Sequence, residues 1–158
     1  MLISTRRVLL TLVLSAFCGV AAAADTPEVT PVRNALTPVR EKIAAKSWPG
    51  AIEGLKRANG VGSADWNNLM GYCLRKGSSP DLAAAEKFYD EALRINPKHR
   101  GALEYSGELY LMRGDLPKAE QRLTALDKAC FLPCEEHTDL KNAVAKFKAA
   151  GNKYVVAP

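Results

Sequence analysis

Apolar residues recur at helical spacing through most of the chain. Ala64 to Lys76, about Pro80 to Ile95, Lys98 to Arg113, Leu116 to Ala129 and about Glu136 to Ala150 each carry an apolar side and a charged side. That is the pattern of helices that bury one face, and it predicts an all-α protein. Ser79 ahead of Pro80 predicts a helix start, because proline lacks an N–H just where helices leave theirs unpaired. Asn96-Pro97 predicts a stop, since proline biases its predecessor away from helix.

The helices also repeat. Ala51, Ala85 and Ala119 are spaced by 34 and again 34 residues. The same step relates Leu55, Tyr89 and Leu123, then Trp48, Leu82 and Leu116, and finally Ser47, Asp81 and Asp115. Such a period, built from paired helices, is the signature of a tetratricopeptide array. Gly71 and Gly107 fall inside first helices, where glycine costs about 1 kcal/mol relative to alanine, so close backbone approach is expected there.

Gly107, Tyr110, Gly114 and Ala119, with Asn96-Pro97 closing the preceding unit, resemble the tetratricopeptide repeat pattern. Trp66, Leu69, Gly71, Ala85, Tyr89, Ala92 and Pro97 resemble it in the middle unit. The resemblance implies about three helix-turn-helix repeats in a short right-handed α-solenoid, namely a degenerate unit over 34–62 and fuller units over 63–97 and 98–131. A capping helix follows within 132–151, with Leu140, Val144 and Phe147 on its apolar face. A membrane-surface helix is the alternative for that segment. Gly71 and Gly107 are 36 apart, which puts two extra residues in the Gly77-Ser78-Ser79-Pro80 turn. Leu126 stands where the pattern expects a small residue. Residues 25–33 and 152–158 read as loose ends.

The first 24 residues form a different kind of segment. Arg6 and Arg7 precede a 13-residue apolar run, Val8 to Val20, and Ala21 to Ala24 supply the small residues a signal peptidase accepts. The run is shorter than the roughly 20 residues of a membrane span. A cleaved signal peptide over 1–24 and a periplasmic location are therefore expected, with extracellular export as the alternative. Phe17 before Cys18 argues against lipidation. The paired arginines loosely resemble a twin-arginine signal, but general secretion suits so greasy a run better.

Composition then narrows the function. The 158 residues are 47% hydrophobic and 25% charged, close to globular averages. Taking Arg6 and Arg7 from the 22 basic residues leaves 20 against 17 acidic ones, a net charge of +3 with no long basic run. That charge gives no reason to invoke nucleic acid, and no second apolar segment suits stable membrane insertion.

The chain has two histidines, His99 and His137, and no glycine-rich phosphate loop. No catalytic constellation emerges, so no enzyme and no cofactor is expected. His99 reads as a solvated turn residue and Cys73 as a buried, inert thiol. Cys130 and Cys134 flank Phe131-Leu132-Pro133 at the junction before the last helix. In an oxidising compartment the plain reading is a disulfide that stabilises by about 1–2 kcal/mol, because the closed loop is small. The alternative is a metal or thiol-redox accessory factor in which Cys130, Cys134 and His137 hold copper(I) or zinc.

The family resemblance implies a concave groove lined mainly by first helices. Carried over, it names Arg40 in the first unit, Asn68, Tyr72 and Arg75 in the second, and Tyr105, Glu108 and Met112 in the third. Such a surface suits an extended peptide or helix of a protein partner, with tyrosine and arginine as anchors. Glu104 and Glu108 on the third unit's face argue against clamping a carboxylate. A homodimer is a further possibility of short arrays.

Overall fold

Ala51, Ala85 and Ala119, the small residues of the 34-residue step, are all completely buried. Each lies in the first turn of a second helix, where a larger side chain would hold the partner helix away. A computed structural model describes residues 35–155 of the protein, so the expectations for 1–24, 25–33 and the final three residues lie outside the described residues. The described residues are all helix and connection, in seven helices: α1 Thr37–Ala44, α2 Trp48–Ala58, α3 Ala64–Lys76, α4 Leu82–Ile95, α5 Arg100–Met112, α6 Leu116–Ala129 and α7 Glu135–Ala149. The helices pair in sequence, α1 with α2, α3 with α4 and α5 with α6, while α3 touches α5 and α7 packs on both α5 and α6.

Local chemistry sets the helix starts. Asp81 Oδ1 accepts from the Ala84 N–H at 2.9 Å, and Asp115 Oδ1 from the Lys118 N–H at 3.1 Å. These caps satisfy donors that the first turn leaves unpaired. Asp81 thus starts α4 two residues after the position expected from Ser79-Pro80, because its carboxylate reaches the free N–H. Gly114 makes the α5–α6 turn at a φ of 76°, a left-handed conformation that glycine adopts without penalty.

Two apolar clusters form the interior. Leu36, Val39, Ala51, Leu55, Trp66 and Leu69 hold α1 to α3 together. A second cluster, including Tyr89, Leu109, Leu126, Leu140 and Phe147, joins α4 to α7. Leu74 packs against both. The Trp66 indole also donates to the Leu55 carbonyl at 2.7 Å, tying the first pair to the second.

The two helix glycines serve different contacts. A Cβ on Gly71 would lie 2.8 Å from the Tyr89 ring and 3.1 Å from the Ala85 carbonyl oxygen, so this glycine lets α3 approach its own partner α4. A Cβ on Gly107 would lie 2.5 Å from Leu140, so this one admits the final helix α7 instead.

Candidate functional site

The first helices α3 and α5 run side by side and present a polar face. Its floor is Arg75, which leaves the last turn of α3 with its side chain only 2% exposed. The guanidinium donates to Glu108 Oε2 at 2.7 Å and to the Tyr89 hydroxyl at 3.4 Å. It also lies 5.6 Å from the ring centroids of both Tyr72 and Tyr105, within the range of cation–π attraction. Those two rings approach to 4.7 Å. Burial would lower the Arg75 pKa, but Tyr89 and Glu108 more than offset that, and the group stays charged. Burial in turn raises the Tyr72, Tyr89 and Tyr105 hydroxyls, which remain protonated.

Glu104 lies one turn before Glu108 and is 8% exposed. Among the described residues it has neither a hydrogen-bond donor nor an ion-pair partner. Burial, then the charges of Glu108, Asp139 and Glu136, push its carboxyl up to about 8, with only Arg75 opposing. Asn68, on α3, is equally buried, and its side-chain oxygen has no partner.

Of the residues expected to line the face, Asn68, Tyr72, Arg75, Tyr105 and Glu108 are brought together. Arg40 is exposed on α1 and reaches Asp65 at 3.5 Å, at the near end of the face. Met112 ends α5, is half-buried and lines neither of the cavities that flank the cluster. One cavity, of about 370 Å³, contains Asn68, Gly101, Tyr105 and Glu136. The other, of about 250 Å³, contains Glu108, Asp139, Asn142 and Tyr154.

Three participants were not legible beforehand. His99 is a half-buried cap and not a solvated turn residue, because its ring bridges two helices. Its Nδ1 accepts from the Ala102 N–H at 3.1 Å, so Nε2 carries the hydrogen and donates to Asp65 at 2.9 Å. Asp65 and His99 are 34 residues apart, and that repeat spacing was the available signal. Tyr154 belongs to a tail that doubles back through Gly151 and Asn152, at φ 68° and 60°, and so closes one end of the face. Asp139 reaches the same cavity from α7.

Cys130 and Cys134 are joined as a disulfide, their Cα atoms 6.0 Å apart. The ring holds the junction to α7 and leaves Phe131 fully exposed. Bonded to each other, the sulfurs offer no thiolate, and His137 turns toward Asp127 at 3.9 Å. Among the described residues no three His, Cys, Asp or Glu side chains converge at metal-ligand spacing. No helix there is long and apolar enough to cross a membrane. In comparisons with known proteins, neither a family model nor a curated protein matches the chain.

Proposed function

We propose that the chain is an exported tetratricopeptide-type protein, a noncatalytic adaptor or assembly factor. It binds a peptide or helix of a protein partner on the face formed by α3, α5 and α7. The observation that carries this reading is the Arg75–Glu108 pair across the two first helices, with its guanidinium buried and its carboxylate partly exposed. Joining two helices needs only apolar contact, as Gly107 and Leu140 illustrate, and burying an ion pair is a costly substitute. A preorganised polar floor flanked by two cavities makes physical sense as a recognition surface.

Export rests on the leader-like start and is supported by the disulfide, since such bonds persist in oxidising compartments. The bacterial periplasm is the proposed location. Nucleic acid and a lipid bilayer are not the proposed partners.

The test is in-cell crosslinking from a photoreactive residue replacing Asn142, which is exposed and lines the cavity beside Glu108. Lys87, exposed on the second helix α4, is the control position. One dominant protein captured from position 142 but not from 87 is expected. The same set from both positions, or nothing from 142, would overturn the reading.

A further inference from the structure

We propose that the tail after α7 is an intramolecular competitor for the polar face, a strap whose Tyr154 covers the Glu108 end of that face until the partner displaces it. This gives the regulation of the groove reading and rests on it.

The sequence turns the tail back on its helix. Gly151 and Asn152 follow α7 and are both left-handed, at φ 68° and 60°. Glycine takes that conformation freely, and asparagine takes it more readily than most residues. The Gly151 N–H donates to the Lys148 carbonyl at 3.1 Å and the Asn152 N–H to the Phe147 carbonyl at 3.0 Å, which closes the helix end and reverses the chain. Tyr154 and Val155 then line the cavity of about 250 Å³ together with Glu108, Asp139 and Asn142. Asn142 and Asp139 stand about two and three turns before the end of α7, so the tail lies back along the helix toward α5.

One side chain holds this strap, and holds it lightly. Tyr154 is 37% exposed, against 64% for Val155. Burial raises the Tyr154 hydroxyl, Glu108 raises it further and Arg75 opposes, so the phenol sits beside the ion pair that floors the face. Among the described residues, no hydrogen bond or ion pair involves Lys153, Tyr154 or Val155. The tail can therefore leave without stranding a buried polar group, and only the packing of the phenol opposes its release. The fixed turn keeps that phenol near its seat at an effective concentration on the order of millimolar, so even weak packing fills the seat part of the time. A partner that approaches the Arg75–Glu108 floor from the α7 side must first move Tyr154. Its apparent affinity falls in proportion to the fraction of molecules whose seat is open.

Two readouts on the full chain test the strap. In the first, isotope-labelled wild type and Tyr154→Ala are titrated by NMR with an acetylated peptide of residues 152–158. The peptide is expected to bind the variant with a dissociation constant on the order of millimolar, shifting the Glu108, Asp139 and Asn142 backbone amides. It should bind wild type at least about twofold more weakly, because the resident Tyr154 competes. The same peptide carrying Tyr154→Ala should shift none of these amides. Absence of those shifts in the variant protein, or equal affinity for the two proteins, would overturn the proposal. In the second readout, in-cell capture of the partner from position 142 should rise at least about twofold in the Tyr154→Ala background. Unchanged capture overturns the competition, and reduced capture makes the tail part of the receptor and overturns it too. Absence of a dominant partner at position 142 in both backgrounds ends the groove reading and the competition with it, whereas a peptide that does not discriminate ends the strap alone.

Discussion

Removing the Glu108 carboxylate while leaving Arg75 in place isolates the ion pair under the polar face of α3 and α5. In Glu108→Ala the guanidinium stays almost wholly buried, since only 2% of its side chain meets solvent. Its remaining partners are the Tyr89 hydroxyl at 3.4 Å and two ring faces at 5.6 Å. Breaking a buried pair from one side costs about 3–5 kcal/mol. Glu108 itself is 26% exposed, so some of its attraction is already screened and the lower end, about 3 kcal/mol, is expected. Arg75→Met should cost less, about 1–2 kcal/mol, because the stranded carboxylate can turn to water and the lost ring contacts are worth roughly 0.5–1 kcal/mol each. The double variant should then cost less than the sum by about 1–2 kcal/mol. Urea denaturation at fixed pH measures all three, and the Glu108→Ala melting temperature should fall by on the order of 10 °C. If Glu108→Ala stays within about 0.5 kcal/mol of wild type, the level of an ordinary surface change, the buried-floor description is wrong.

Other expectations follow from single contacts. Gly107→Ala gains about 1 kcal/mol of helix propensity but drives a methyl into the fully buried Leu140, so a net loss of about 1–2 kcal/mol is expected in thermal melts, and a gain would contradict the α5–α7 packing. Glu104 binds its proton more tightly folded than unfolded, so stability should decline as pH rises from about 4.5 to about 8. Glu104→Gln should lack that part of the slope while the facing Glu108, Asp139, Glu136 and Arg75 remain, and an identical slope in both proteins would refute the assignment. Burial pushes the Cys73 thiol up to about 11, so a thiol reagent at neutral pH should find it only after unfolding. Replacing Cys130 and Cys134 by serine should cost about 1–2 kcal/mol, read as a shift in urea midpoint that reductant reproduces in the wild type.

Much of the helical framework was legible in advance because its causes are local. Helix periodicity, proline stops and a repeated 34-residue step are properties of neighbouring residues, and they predicted α3 and α6 to the residue. The buried alanines follow from the same step, since a position repeated in every unit meets the same partner helix. The Cys130–Cys134 ring was also in reach, because two cysteines four apart around a proline can close on each other without help from the rest of the fold.

The character of the polar face between α3 and α5 was decided elsewhere. A helical pattern puts Asn68, Tyr72 and Arg75 on one side of α3, but it does not say whether that side meets water or another helix. The approach of α5 turns Arg75 from an available cation into a sunken support, and the packing around Asn68 buries its amide oxygen without giving it a donor. Gly71 and Gly107 look alike in the chain, yet one makes room for Tyr89 and the other for Leu140 from α7. Period and composition determine which helices form and how they pair, because those depend on short-range geometry. Burial, charge and unmet hydrogen bonds depend on neighbours contributed by several helices at once, and only their packing decides them.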